Sequence, residues 1–236
     1  MFIDSHSLAT QLDRLEEIEK ASTRFVSQAI DLFRQQAASI FAEEVDLQAD
    51  IGEDITTEAL DSLGMSRMAQ RVFGKMDYKR ARFIFEPDYA VRQVLLVDSK
   101  AEKSGGSARV QTSQTSMRIR QVRQGASLDV PGTVPTVALL GGVGFITTTI
   151  FVKYVYQNEG PRNSLKQITV ACCPNGFLQE TYNPTAADTI WTGGPNAPSR
   201  GEAFRTRLSF SRLKRKRNWR VQSIAIEPAE PFVWDD

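Results

Sequence analysis

The residues able to do chemistry gather around two acids and a lysine. Asp98-Ser99-Lys100 sets a carboxylate and an ammonium two residues apart. On a strand both leave the same face, roughly 7 Å from one another. DYKRARFIF (77–85) and RQVLLVD (92–98) are rich in Val, Leu, Ile and Phe, and the Pro87-Asp88 turn signal lies between them. This pattern predicts a β-hairpin. A turn centred between Pro87 and Asp88 pairs Asp77 with Asp98, their Cβ atoms about 5 Å apart. Two carboxylates so placed repel each other unless a cation sits between them. With the lysine they can hold Mg²⁺, the Ser99 carbonyl serving as a further oxygen ligand, while Lys100 orients or helps deprotonate an attacking water. That is the arrangement of metal-dependent phosphodiester hydrolysis. The competing reading is a pair of strand-end acids salt-bridged to Lys100.

Two further acids need placing. Asp88 follows a proline and lies ten residues before Asp98, which imitates a metal-binding acid in the string. The hairpin puts it at the turn, about 30 Å from Asp98 in extended chain. Glu53 precedes Asp77 at the predicted start of a helix over 55–63, with Asp54 as N-cap. There it is either a third carboxylate for a second metal position or an acidic first turn favoured by the helix dipole.

The elements that must position these residues follow from periodicity. Leu8, Leu12, Leu15, Ile18, Phe25, Ala29, Phe33, Ala37 and Phe41 recur every three or four residues, predicting one long helix or two abutting ones over 7–42. Gly64 ends the helix that follows. Residues 102–116, rich in Ser, Gly, Thr and Gln, read as a flexible loop around Gly105-Gly106. Strands are predicted at 147–157, 165–173, 204–213 and 219–227. The uncharged run Val130–Val152 is broken by Pro131, Pro135 and four glycines, so it reads as a loop and a buried strand rather than a membrane span. The fold expected is α/β, a mixed central β-sheet flanked by helices.

Composition narrows the chemistry. The chain has 236 residues, one histidine (His6) and two adjacent cysteines, Cys172 and Cys173. Zinc fingers, His-dependent metallohydrolases and Ser/Cys-His triads are poorly served by these counts, and a disulfide framework is excluded. Cysteine usage and the lack of a leader pattern suggest a reducing compartment, the cytoplasm. The net charge of +1 hides a strong polarity. Residues 1–62 hold 4 basic and 14 acidic side chains, residues 65–124 hold 13 and 5, and residues 200–220 hold 9 and 1. Two basic stretches fit a polyanion such as a nucleic-acid backbone, or else surfaces paired with the acidic N-terminal segment.

Ordered blocks carry a resemblance: EDITTEAL (53–60), FGKMDYKR (73–80), QVLLVDSKA (93–101), TTTIFV (147–152), YNP (182–184), RGE (200–202), RLK (212–214) and Trp219-Arg220. The chain resembles the SfiI family of type II restriction endonucleases, within the PD-(D/E)xK nuclease superfamily. The resemblance places the catalytic acids and lysine on Asp77, Asp98 and Lys100. It implies Mg²⁺-dependent cleavage of double-stranded DNA at an interrupted palindrome, leaving 5′-phosphate ends. It also implies a homodimer or a homotetramer engaging two sites, in the cytoplasm of a prokaryote. The expected organisation is one endonuclease domain over 1–236, with a helical segment at 7–63 and a sheet core at 73–227.

Arg205 and Arg207 stand i, i+2 on a strand and so point the same way, suited to guanine edges in the major groove. The resemblance places base-reading arginines there, with Arg200 in the RGE block beside them. Where the family has basic side chains before RGE, this chain has Gly193-Gly194-Pro195-Asn196-Ala197-Pro198-Ser199. Asn196 reads adenine or serves a turn. Arg212, Lys214, Arg215, Lys216 and Arg217 are expected at phosphates or on a solvated basic turn. Two other readings stand beside the restriction enzyme: a PD-(D/E)xK nuclease of repair or recombination, and a DNA-binding protein whose acid cluster is structural.

Overall fold

The computed structural model describes residues 2–44, 48–64, 81–85, 89–103, 105–123, 125–160, 162–193 and 205–236. A 3₁₀ turn at Ser5–Thr10 leads into α1 (Leu12–Leu32), which abuts α2 (Arg34–Glu43) at Phe33. The predicted helical stretch is thus two helices. Helix α3 spans Gln48–Asp61. It starts earlier than its apolar pattern suggested, so Asp54 is not an N-cap and Glu53 lies inside the helix rather than at its start. Gly64 ends it with φ +70°, a conformation that favours glycine.

The strands are β1 (Ala81–Phe85), β2 (Gln93–Glu102), β3 (Ser107–Gln111), β4 (Ile119–Arg123), β5 (Ala126–Val130), β6 (Val137–Leu140), β7 (Val143–Glu159), β8 (Arg162–Cys173), β9 (Trp191–Gly193), β10 (Arg205–Ser209) and β11 (Val221–Ala225). Two short helices, α4 (Gln179–Tyr182) and α5 (Phe210–Lys216), complete the set. The central sheet runs β1-β2-β7-β8-β11, with β6 also paired to β7. Only the β2–β7 ladder is parallel within it, so the sheet is mixed, as expected. The smaller ladders β3-β10-β9 and β4-β5 were not foreseen. Strand β3 lies in the stretch read as a flexible loop, and the predicted strand at 204–213 turns into α5 at Phe210, where the Ser209 hydroxyl accepts from the Arg212 amide at 3.4 Å. Among the described residues no helix is long and apolar enough to cross a membrane. The uncharged run at 130–152 forms β6 and the first part of β7.

The hairpin of β1 and β2 exists, but its register differs from the expectation. Ala81 faces Val97 and Phe85 faces Gln93. The turn therefore lies further along, around Tyr89 and Ala90, where Ala90 takes φ 57°. The expected pairing of Asp77 with Asp98 does not continue this ladder. Asp77 itself, like Asp88, lies outside the described residues.

Alternation gives the central sheet two dressed faces. Leu95, Val97, Ile150, Val152, Tyr154, Ile168, Val170 and Cys172 pack against Val26, Ile30, Phe41, Ile55 and Leu60 of the three long helices. Phe151, Ala171 and Cys173 point the other way, onto Ala108, Val110, Trp191 and Leu208 of the β3-β10-β9 sheet. The segment after β3 is gripped tightly. The Gly132 amide donates to the Met117 carbonyl at 3.0 Å, and a Cβ at Gly132 would lie 2.2 Å from the Thr115 carbonyl oxygen.

Candidate active site

Strand β2 carries Asp98, Lys100 and Glu102 on the face turned toward the β3-β10-β9 sheet. It places Ser99 and Ala101 on the face under α3. Asp98 is 7% exposed. Its Oδ2 pairs with Lys100 Nζ at 2.7 Å, and its Oδ1 accepts from Gln114 Nε2 at 3.1 Å. Gln114 is itself fixed, because its Oε1 accepts from the Gln111 amide at 2.9 Å. This is a capping box on the 3₁₀ turn Thr112–Gln114. The carboxylate is therefore held at a set orientation by a cation and an amide.

The other face of β2 is anchored by hydroxyls. Ser99 Oγ donates to Thr56 Oγ1 at 2.8 Å, and Thr56 Oγ1 lies 2.8 Å from the Tyr154 hydroxyl. Burial pushes the Tyr154 phenol up, so it stays protonated. Gly52 brings α3 close enough that a Cβ there would lie 3.1 Å from Tyr154. The serine of Asp98-Ser99-Lys100 thus ties β2 to α3 and β7 through its side chain.

Further along the Asp98 face, Glu102 Oε2 pairs with Lys153 Nζ at 2.9 Å. Lys153 is fully buried, also donates to the Ser107 carbonyl, and lies 5.8 Å from the Phe210 ring. Desolvation holds its ammonium below the ordinary lysine range, against the pull of Glu102. Arg207 Nη1 lies 3.6 Å from Glu102 Oε2 and donates to Ser107 Oγ at 3.1 Å. Arg109 Nε approaches Glu102 Oε1 at 3.6 Å. Sequence reasoning missed Gln114, Glu102 and Lys153. The signals available were the Gln111-x-x-Gln114 spacing, the alternation of charge along β2, and a lysine set within the apolar run Ile150–Val155 of β7.

The structure brings Asp98, Ser99 and Lys100 together on β2. Glu53 is half-buried on α3, the helix that covers the Ser99 face. Among the described residues no group of three His, Cys, Asp or Glu side chains capable of holding a metal forms. Asp77, Asn196 and Arg200 lie outside the described residues. Arg205 opens β10 opposite Gln111. The basic run after it is engaged within the chain. Arg212 Nη1 donates to the Trp191 carbonyl at 2.9 Å, Lys214 pairs with Asp235 at 2.6 Å, Lys216 with Asp188 at 2.7 Å and Arg217 with Glu16 at 3.1 Å. Much of this basic stretch thus faces acids and carbonyls of its own chain.

The Asp98 carboxylate and the Ser99 carbonyl are hard oxygen donors of the kind divalent cations take, while the Lys100 ammonium beside Asp98 is a cation and not a ligand. Those oxygens suit such an ion.

Comparison with known proteins gives the family. The family model for the type II restriction enzyme SfiI matches residues 5–224. A type II restriction enzyme SfiI from Streptomyces fimbriatus is 34% identical over 228 residues, 90% of this chain and 85% of that protein. A crystal structure of tetrameric restriction endonuclease SfiI bound to cognate DNA superposes with TM-score 0.86 at 28% identity, covering 98% of this chain and 91% of that one. The restriction endonuclease BglI bound to its DNA recognition sequence shares the fold, with TM-score 0.75 at 16% identity over 94% of each chain.

Proposed function

The chain belongs to the family of the type II restriction enzyme SfiI, and from that membership we propose how its site cleaves DNA. It is a site-specific deoxyribonuclease, and restriction endonucleases are typically metal-dependent. The reading adds that the ion is Mg²⁺, that the substrate is duplex DNA at an interrupted palindrome, and that the products carry 5′-phosphate and 3′-hydroxyl ends. The observation that carries it is the buried Asp98 carboxylate with the Lys100 ammonium 2.7 Å away on the same face of β2.

Asp98, Asp77 and the Ser99 carbonyl would hold the ion, with Glu53 as a further candidate ligand. Bound there, Mg²⁺ supplies Lewis-acid polarisation of the scissile phosphate and stabilises the leaving oxygen. Lys100 orients the attacking water from beside Asp98 and holds or passes a proton at Nζ. Gln114 keeps Asp98 Oδ1 from rotating away. The Ser99–Thr56–Tyr154 hydroxyls hold the strand against α3, which maintains the geometry that orientation requires. Arg205 and Arg207, with Arg200 and Asn196, are assigned to base edges, and Arg212, Lys214 and Lys216 to phosphates. The last assignment requires these side chains to exchange their present partners for DNA. A homodimer, or a tetramer as in the SfiI crystal structure, would present two such sites, in the cytoplasm of a prokaryote.

End mapping on a sequenced plasmid tests the reading. Cuts at one interrupted palindrome, with 5′-phosphate ends and dependence on Mg²⁺, are expected. Cleavage confined to branched junctions would indicate a repair or recombination nuclease instead. DNA binding with no cleavage under any metal condition would reduce the acid cluster to a structural role.

A further inference from the structure

We propose that Glu102 is a positioning residue that couples Arg207, on the strand assigned to reading, to the strand that carries Asp98 and Lys100. The inference rests on the nuclease reading above and adds a residue to it. Glu102 lies on the same face of β2 as Lys100, two residues further on. Three cations converge on it: Lys153 at 2.9 Å, Arg207 at 3.6 Å and Arg109 at 3.6 Å. Arg109 and Arg207 are direct register partners across β3 and β10. Like charges so opposed repel, and Glu102 is the carboxylate that reaches both.

Each partner restricts the next. Lys153 is fully buried and immobilised by the Ser107 carbonyl, so it fixes the Glu102 carboxylate. Glu102 and Ser107 Oγ then hold Nη1 of Arg207. A guanidinium is planar with five donors in a rigid fork, so fixing one nitrogen sets the direction of the others. One carboxylate among three cations leaves the cluster net positive, which favours an approaching phosphodiester while keeping Arg207 oriented. A strand shift at the bases would be passed through Arg207 and Glu102 to the next residue pair along β2.

The test measures affinity of the full-length protein for its mapped cognate duplex and for a random duplex, in Ca²⁺ to prevent cutting. Glu102→Gln is expected to lower the cognate-to-random ratio about tenfold, near the lower end of what one bidentate base contact provides. Random binding is expected to stay level or tighten, because a negative charge has gone. Added to Arg207→Ala, the same substitution is expected to cause no further fall. Glu102→Gln leaves Lys153 buried beside a neutral side chain, so the comparison is repeated between Lys153→Met and Glu102→Gln/Lys153→Met, where a smaller fall of about threefold to fivefold is expected because Glu102 has lost the contact that fixes it. A ratio within about twofold of the parent in both backgrounds would overturn the proposal. So would a full fall that persists in Arg207→Ala, since Glu102 would then act through something else. Wild-type protein that cuts and discriminates while Glu102→Gln matches it removes this proposal alone. Wild-type protein that cuts no duplex removes the nuclease reading first.

Discussion

Lys100 and Lys153 are register partners across the parallel β2–β7 ladder, and each is neutralised by a different carboxylate of β2. Asp98 takes Lys100 at 2.7 Å, and Glu102 takes Lys153 at 2.9 Å. Two ammonium groups side by side on a sheet repel, so the arrangement requires both acids. It also assigns them different work, because Lys153 is fully buried whereas Lys100 keeps 21% of its side chain exposed toward the site.

The first prediction concerns stability. Glu102→Ala leaves Lys153 as a buried charge without its carboxylate, which is expected to cost about 3 kcal/mol. Adding Lys153→Met is expected to recover much of that loss. Urea unfolding of the two variants beside wild type checks it. Equal stability of Glu102→Ala and wild type would show that Lys153 does not depend on Glu102.

Gln114 offers a kinetic test. Its side chain is spent on Asp98 Oδ1 and the Gln111 amide, so Gln114→Ala is expected to slow single-turnover cleavage roughly tenfold or more, as loss of a residue that orients a metal ligand does. Affinity for the cognate duplex in Ca²⁺ is expected to change less than the rate does. Gln114→Glu, which faces a carboxylate with a carboxylate, is expected to be slower still. Rates unaffected by either substitution would separate Asp98 orientation from catalysis.

A third prediction uses pH. Burial raises Glu16, but hydrogen bonding from the Tyr182 hydroxyl together with Arg220 and Arg217 outweighs it and holds the carboxyl below its ordinary value of 4.5. A carboxyl lowered by folding contributes stability that is present above the unfolded value and is lost as pH falls through the folded one. Thermal unfolding should therefore show wild type more stable than Glu16→Gln at about pH 5.5, with the gap closing as pH drops well below 4.5. A gap that is constant or widens with acid would contradict the assignment.

The sequence made some of this legible and hid the rest for identifiable reasons. The helices of the N-terminal segment and the apolar strands declared themselves because their periods of 3.6 and 2 are local properties. Asp98 and Lys100 could be placed on one face for the same reason. Register could not, because Pro87-Asp88 is the turn signal in the string while the ladder of β1 and β2 centres later, with Ala90 at φ 57°. The start of α3 was hidden because Gly52 breaks the apolar pattern, and that glycine is there to admit Tyr154. Glu102 and Gln114 act through partners brought in from other strands, which no local pattern shows. Lys216 and Lys214 read as free cations, yet Asp188 and Asp235 fold back onto them.

The central claim is that the Asp98 carboxylate serves the reaction rather than only its salt bridge with Lys100. Asp98→Asn tests it most directly, because the amide keeps size and hydrogen-bonding capacity while removing the charge. Single-turnover cleavage of the mapped cognate duplex in Mg²⁺ is expected to fall by at least about a hundredfold, with the variant still folded and the duplex still recognised. Cleavage at a rate near that of wild type would contradict the account and leave Asp98 a structural partner of Lys100.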